Sequence, residues 1–340
     1  MDAGCSTDSF IGTAPPSGKY GVDYATDYVP LCNGWVVYGD LTNNKIQAVN
    51  AVYRTVGTSY PLGYAPADMA YDPVNQYLWI ILKSQSSVAR VNLATGSVAL
   101  IALPGVGVHV AATENGYAFV ALHYTYPNTT TISYLNGTSA SIAVNFSIGY
   151  FGEALIACDS TGTAFYVAPD ITIGGYTEAW AFNTSTYTAT LTASVDGYSA
   201  NGKELELSPD GNHLAFVCGG GNTSGINPIY SIFDLTASNI SAYSGSWFTG
   251  KYPLSADFSP DSKNITTTNG SDLQVFGVSS HAASKTTWVG ATAGIVNGPP
   301  YNTYELTRTR FSQGGWIVYG LDIPTYNTPA PSTIVWETFP

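Results

Sequence analysis

The chain has 340 residues, of which 45% are hydrophobic and only 10% are charged, and its formal net charge is −12 at pH 7. This length and apolar content suffice for a large core, whereas the lack of any Lys or Arg run argues against a nucleic-acid partner, because phosphate binding needs clustered cations. No run of 18 or more apolar residues occurs, so the sequence predicts no membrane-spanning segment.

The low fraction of charged residues has two interpretations. Ordinary soluble domains carry about 25% charged residues, and a chain with 11 Lys and Arg and 4 His builds up little cationic repulsion in acid. Adaptation to acid and a merely charge-poor secreted protein both fit. The opening segment MDAGCSTDSF has no basic or apolar stretch, so we expect no signal peptide in this chain. A protein that stays inside the cell, a mature form and another export route remain open.

A turn followed by a strand recurs along the chain. Two strand-like stretches at 28–40 and 44–61 form the first unit, and the seventh unit contains YELTRTRFSQGGWIVYGL (304–321). The second to sixth units each contain one copy of the turn and strand. These copies are YDPVNQYLWI (71–80), TENGYAFVALH (113–123), CDSTGTAFYV (158–167), SPDGNHLAFV (208–217) and SPDSKNITTT (259–268). A short apolar strand precedes each turn, and a strand, a polar turn and a further strand follow it. The repeated unit is therefore predicted to be four antiparallel strands.

Units of this kind recur about every 40 to 50 residues, which is the period of a propeller. The later units span about 64–103, 105–147, 149–196, 198–247, 252–290 and 291–340. We therefore predict an all-β fold, a seven-bladed β-propeller of four-stranded antiparallel blades, as a single domain over 1–340. The last unit lacks an outer strand, and SFIGTAPPS (9–17), within an N-terminal extension or closing strand at 1–20, is expected to supply it and close the ring.

Two stretches also resemble a known repeat. SSVARVNLATGSVALIALPG (86–105) and SPDGNHLAFV are similar to the YVTN-type propeller repeat, with the best match over 65–105 and turn matches within 198–236 and 252–278. The resemblance implies a propeller but not one function, since the family includes surface-layer and envelope proteins, lactonase-like enzymes and cofactor-dependent dehydrogenases. The charge-poor composition is similar to that of exported proteins of acidophilic archaea or their viruses. Within SPDG, Asp210 and Asn212 are expected to be turn residues.

The four cysteines do not form a disulfide framework. A bridge between Cys5 and Cys32 would tie down the N-terminus and is our prediction. Cys158 and Cys218 fall at different points of the repeat, so their pairing is less favoured, and neither pair has the spacing of zinc ligands.

Asn-x-Ser/Thr triplets predict glycosylation in an exported protein. The eight acceptors are Asn128, Asn136, Asn145, Asn183, Asn222, Asn239, Asn264 and Asn269. Three of them (136, 183 and 239) fall at the hairpin between third and fourth strands. Three others (128, 222 and 269) fall between second and third strands, so all six are expected to be exposed. The alternative is that Asn and Thr simply suit turns.

No catalytic motif is present: the four histidines are not in a metal-ligand pattern, and no nucleophile elbow or phosphate-binding loop occurs. The polar residues predicted at the mouth of the central channel are Asp68, His109, Glu153, Lys203, Glu204, Asp257 and Glu305. Such a ring could hold a cation such as Ca²⁺, although solvated strand ends would look the same, and we predict neither a metal nor a cofactor. Arg308 and Arg310 lie on one strand face and are expected to pair with nearby carboxylates.

These observations favour an extracellular structural or binding component of a cell envelope, filament or virion. Its partners would be other surface or assembly proteins, a second copy of itself, or glycans, and not nucleic acid or a membrane span. The competing hypothesis is a metal-dependent, lactonase-like hydrolase acting at the channel mouth. A carbohydrate-recognising adhesin is a third.

Overall fold

A computed structural model describes residues 8, 10, 15–123, 129–149, 153–170, 176–196, 202–218, 231–250, 253–270, 272–288, 304–315, 317–324 and 331–338. These residues form seven four-stranded antiparallel sheets, which are the blades of a propeller. The predicted all-β class, blade number and strand number are therefore confirmed. In the described part of the chain, no helix is long and apolar enough to cross a membrane.

The strands follow one another in chain order. They are β1 (Gly18–Val22), β2 (Ala25–Pro30), β3 (Trp35–Asp40), β4 (Lys45–Asn50), β5 (Thr55–Pro61), β6 (Pro66–Asp72), β7 (Tyr77–Leu82), β8 (Ser87–Asn92), β9 (Val98–Ala102), β10 (Gly107–Ala112), β11 (Tyr117–Leu122), β12 (Thr130–Asn136), β13 (Ser141–Ile148), β14 (Ala154–Cys158), β15 (Ala164–Pro169), β16 (Tyr176–Asn183), β17 (Thr188–Asp196), β18 (Gly202–Leu207), β19 (His213–Cys218), β20 (Ser231–Thr236), β21 (Asn239–Phe248), β22 (Ser255–Phe258), β23 (Asn264–Thr268), β24 (Asp272–Gly277), β25 (Ala283–Trp288), β26 (Tyr304–Phe311), β27 (Ile317–Pro324) and β28 (Ser332–Thr338).

Blades 1 to 6 each consist of four consecutive strands, beginning with β2–β5 and ending with β22–β25. Blade 7 combines β26, β27 and β28 with β1, which pairs antiparallel to β28 from Gly18 opposite Trp336 to Val22 opposite Ser332. An N-terminal strand thus closes the ring, as predicted. The predicted segment was wrong, because the strand lies at 18–22 and not within 9–17. Pro15 and Pro16 precede it and have no backbone N–H to donate to a ladder.

The cores lie between neighbouring blades. The second strand of blade 2, YLWIIL, is buried at five consecutive positions and does not alternate between buried and exposed residues. A strand in the middle of a sheet that is covered on both faces has this pattern. Trp79 and Trp247, each fully buried, fill two of the spaces between blades.

The recurrent turn has the same hydrogen bonds in blades 5 and 6. The hydroxyl of Ser208 donates to Asp210 Oδ1 at 2.6 Å and accepts from the backbone N–H of His213 at 2.9 Å. The equivalent bonds of Ser259, to Asp261 and from Asn264, measure 2.7 Å and 3.0 Å. Asp210 also accepts from the side chain of Asn212, so the predicted turn role of these two residues is confirmed.

The sequence predicts a disulfide between Cys32 and the N-terminus. Cys32, fully buried, is in a disulfide, and its predicted partner Cys5 lies outside the described residues. Neither Cys158 nor Cys218 forms a disulfide.

Candidate functional site

A cavity of about 480 Å³ lies on the axis of the ring. Its walls are the first strands of the blades, and its rim includes residues of the turns that follow them, among them Pro73, Glu114, Pro209 and Pro260. The cavity therefore opens on the face that carries the recurrent turn.

Ionisable side chains occupy one equivalent position around this axis. The third residue of the first strand is Asp27 in blade 1, Asp68 in blade 2, His109 in blade 3, Glu204 in blade 5 and Asp257 in blade 6. The first strands of blades 1, 2, 3, 5 and 7 each have a register shift close to this level. Such bulges reorient side chains locally, and here they accompany a polar ring inside an apolar fold.

Each of four carboxylates accepts a backbone hydrogen bond from the next blade. Met69 N–H donates to Asp27 at 2.8 Å and Val110 N–H donates to Asp68 at 2.9 Å. In the same way Ala256 N–H donates to Glu204 at 2.8 Å and Phe311 N–H donates to Asp257 at 2.6 Å. The carboxylates therefore join neighbouring blades at their inner ends.

Two arginines of blade 7 reach across the axis. Arg308 lies 3.0 Å from Glu204, 3.6 Å from Asp68 and 3.8 Å from Asp27. Arg310 lies 2.6 Å from the same oxygen of Glu204 and donates to the Ser255 hydroxyl. The predicted pairing of these arginines with carboxylates is confirmed, and it ties blade 7 to blades 1, 2 and 5.

The carboxyl groups around the axis differ in pKa. Burial opposes ionisation of Glu204, but Arg310 and Arg308 outweigh it and hold the pKa of that carboxyl below its usual range. Burial likewise opposes ionisation of Asp68, but His109 and Arg308 lower its pKa. Burial dominates elsewhere and raises the pKa of Asp27 to about 6 and that of Asp257 to about 7.

The predicted channel-mouth residues fall into two groups. Asp68, His109, Lys203, Glu204 and Asp257 all line the central cavity. Glu153 does not: it precedes β14, is exposed, and lies 3.5 Å from His123 Nε2, so its predicted place in the ring was wrong. Glu305 is in β26, but its side chain lies outside the described residues.

Sequence reasoning missed two of the central carboxyls. Asp27 lies 41 residues before Asp68, close to the repeat period, and Glu206 lies two residues after Glu204 on the same strand face. Aligning the first strands by the third residue would have identified Asp27, and strand alternation would have identified Glu206.

The ring does not fit a calcium site. Its carboxylates accept backbone N–H groups or pair with guanidinium groups, whereas Ca²⁺ requires six to eight oxygen ligands. Among the described residues, no group of three or more His, Cys, Asp or Glu side chains is arranged to hold a metal ion.

A second cluster of ionisable groups joins blades 5 and 6. Asp234, fully buried, lies 2.9 Å from His213 Nδ1 and 2.8 Å from His281 Nε2. His281 comes from the hairpin of the next blade and packs at 5.2 Å from the ring of Trp247. Gly245 is required here, because a Cβ on it would lie 2.6 Å from the His281 ring. The cluster is a link between blades.

The glycosylation acceptors differ in exposure. Asn183 and Asn239 are exposed at the hairpins where they were predicted, and Asn145 is exposed on β13. Asn136 and Asn264 are half-buried. The expected exposure was wrong for Asn269, which is 6% exposed because its amide donates to Thr249 O at 3.0 Å. Asn128 and Asn222 lie outside the described residues.

Comparison with known proteins supports the fold alone. No family model matches the chain, and no curated protein matches it. A solved structure titled Kuenenia stuttgartiensis Hydrazine Synthase superposes with a TM-score of 0.63 at 11% identity, covering 92% of this chain and 96% of that chain. A chain of the Crystal Structure of Mitotic Checkpoint Complex gives a TM-score of 0.69 at 14% identity, covering 97% and 98%. The chain is a seven-bladed β-propeller, a fold that serves binding and structural roles.

Proposed function

We propose that the chain is an extracellular, glycosylated β-propeller with YVTN-type repeats. We infer that it acts as a structural or binding component of a cell envelope, filament or virion and not as an enzyme. The observation that supports this proposal best is the uncharged outer edge of blades 1 and 2, whose outer strands are β5 and β9.

Neither β5 (TVGTSYP) nor β9 (VALIA) contains a charged residue. The outer strands β13 and β21 are also uncharged, but they carry the predicted sugar acceptors Asn145 and Asn239, whereas β5 and β9 carry none. Edge strands in monomeric proteins are normally protected by charges, prolines or bulges against pairing with other chains. β9 has none of these, whereas β5 ends at Pro61 and has a register shift against β4, so β9 is the less protected of the two edges. Large apolar or aromatic side chains are also exposed on these two blades: Tyr53 (57%), Val56 (69%), Tyr64 (45%), Val74 (67%), Val98 (37%) and Leu100 (54%). Such a surface favours association with another protein.

The predicted sugar acceptors are absent from the same part of the ring. All eight lie between Asn128 and Asn269 in the sequence, and the six that the structure describes are in blades 3 to 6. Blades 7, 1 and 2 are neighbours in the ring and carry none. Glycans on the acceptors would shield one arc and leave the apolar arc available for contact.

The partner that we propose first is a second copy of this chain. A net charge of −12 opposes self-association, but two uncharged edges can approach without placing like charges opposite each other. Each edge also offers unpaired backbone donors and acceptors to the other.

Sedimentation over a range of protein concentrations tests this contact. The wild type is expected to form dimers or larger species, and the double variant Val56→Lys/Leu100→Lys is expected to stay monomeric. Leu191→Lys/Phe248→Lys is the matched control, because those side chains are exposed on the outer strands of blades 4 and 5, and it should associate like the wild type. A wild type that is monomeric throughout, or a control that dissociates equally, contradicts the proposed contact.

Glycosylation is tested separately. Intact-mass analysis of the protein from its natural source should show added hexose-containing mass at one or more of Asn145, Asn183 and Asn239, which are exposed. Unmodified Asn at all eight acceptors would remove the glycoprotein part of the proposal and leave the edge contact untouched.

A further inference from the structure

Among the described residues, the ion pairs of Arg308 and Arg310 involve Asp27, Asp68 and Glu204 but neither Asp257 nor Glu206. Asp257 accepts the Phe311 N–H, which leaves Glu206 as the carboxyl of interest. It lies on β18 two residues after Glu204, so both side chains point to the same side of the strand, and it lines the central cavity. Within the described residues, its carboxyl takes part in no hydrogen bond or ion pair. Burial, together with the nearby charge of Asp257, raises the pKa of Glu206 well above its usual range, against the opposing effect of Arg310.

More carboxyl groups than cationic groups surround the cavity. The carboxyl groups that line it or adjoin it are Asp27, Asp68, Glu114, Glu204, Glu206 and Asp257, and the facing cationic or titratable nitrogen groups are His109, Lys203, Arg308 and Arg310. The two guanidinium groups are already held by Glu204, at 3.0 Å and 2.6 Å. A cation entering the cavity would therefore find carboxyl groups not yet satisfied by the protein, Glu206 first.

The remaining walls are apolar. Ala111, Leu155, Ile156, Leu205 and Phe258 line the same space. Its volume, about 480 Å³, lies within the range of small-molecule sites, which combine apolar walls with a few polar groups. The lining thus suits a ligand with a cationic head and a hydrocarbon stem.

We propose that the central cavity binds a primary alkylammonium group, with Glu206 as its main partner, Asp257 as the second, and the apolar walls around the alkyl stem. An ammonium group donates three hydrogen bonds and needs no fixed coordination shell, so it suits carboxyls that are not arranged for a metal. The group could belong to a free diamine or to a lysine side chain of a docked protein. This site is independent of the proposed edge contact.

Binding should release a proton. Glu206 can pair with an ammonium only as a carboxylate, so a protonated Glu206 must lose its proton when the amine enters. The heat of binding will then vary with the ionisation enthalpy of the buffer, which a purely apolar interaction would not produce.

Isothermal titration calorimetry of the whole chain tests the site. Pentane-1,5-diamine represents the free amine, Nα-acetyl-lysine N-methylamide represents a lysine side chain, and pentane-1,5-diol is the uncharged analogue. We expect at least one amine to bind with proton release, the diol not to bind, and Glu206→Gln to weaken amine binding at least about tenfold, or about 1.4 kcal/mol. Glu153→Gln is the matched control, because Glu153 is exposed and outside the cavity lining.

Thermal unfolding of each variant shows whether it is folded. If Glu206→Gln does not fold, Asp257→Asn takes its place with the same expected loss of affinity. Absence of binding by both amines, equal binding of the diol, or unchanged affinity in the folded variant overturns the proposal. The stronger of the two amines identifies the source of the group.

Discussion

Glu204 and Asp257 occupy the same position in neighbouring blades, yet their carboxyls have different proton affinities. Glu204 faces both Arg308 and Arg310 and its pKa is lowered despite burial. For Asp257, burial prevails over the attraction of Arg310 and raises the pKa to about 7. The two pKa values differ because there are more buried carboxyl groups around the axis than guanidinium groups to neutralise them.

The first prediction concerns stability and pH. A carboxyl whose folded pKa is raised binds its proton more tightly when folded, so the free energy of unfolding falls as pH rises from the unfolded value of 3.8 to about 7. Asp257→Asn removes this ionisation and keeps an acceptor for Phe311 N–H. The variant should lose less stability than the wild type between about pH 5 and pH 8, measured by urea unfolding.

Asp261→Asn is the control for this series. Desolvation opposes ionisation of the exposed Asp261, but hydrogen bonds from Ser259 and Lys263 together outweigh it and lower its pKa, so its removal should leave the pH dependence above pH 5 unchanged. An Asp257→Asn variant whose stability falls with pH as steeply as that of the wild type would contradict the assignment.

For individual residues, the sequence predicts which side chains line the central cavity but not which of them form ion pairs. Asp68, His109, Glu204 and Asp257 were predicted from the register of the repeat, and they line one cavity. Arg308 is the fifth residue of its strand, so its contacts with blades 1, 2 and 5 depend on the diameter of the ring. No local sequence pattern predicts the diameter of the ring.

The element that repeats most faithfully is the Ser-Pro-Asp turn. In blades 5 and 6 the serine hydroxyl bridges the aspartate and the backbone N–H five residues after the serine. The sequence predicted this turn because its chemistry is local. The register shifts in the first strands, such as the one between Gly202 and Glu204, were not predicted, since they depend on packing around the axis.

The second prediction follows from this equivalence. Ser208→Ala and Ser259→Ala each remove the same two hydrogen bonds, and a net hydrogen bond contributes about 0.5–1.5 kcal/mol. Each variant should lower the free energy of unfolding by roughly 1–3 kcal/mol, and the two losses should agree. Ser86→Ala, at an exposed position, should have no effect in the same urea titration. A large loss at Ser208 alone would show that the two turns are not equivalent.

For the whole molecule, the number of blades could be predicted because the turn recurs at a regular spacing. This spacing is kept even between units whose residues differ. The closing strand was assigned too early in the chain because it has no partner nearby in sequence: β1 pairs with β28, more than 300 residues away. One close contact fixes its position. A Cβ on Gly18 would collide with the ring of Trp336, so this glycine allows the strand to lie against the last blade.

Closure of the ring is the third prediction. Deleting residues 1–22 removes β1, exposes the edge of β28 and leaves blade 7 with three strands, so the free energy of unfolding should fall markedly and aggregation should increase. Deleting residues 1–17 is the matched comparison, because it removes the preceding segment, including the Pro16 carbonyl that accepts from Trp336, but retains Gly18–Val22. The two truncated proteins are compared by their free energy of unfolding in urea and by light scattering. The difference between them gives the contribution of β1. Equal stability and equal scattering would mean that the six blades and three remaining strands hold the ring without closure by β1.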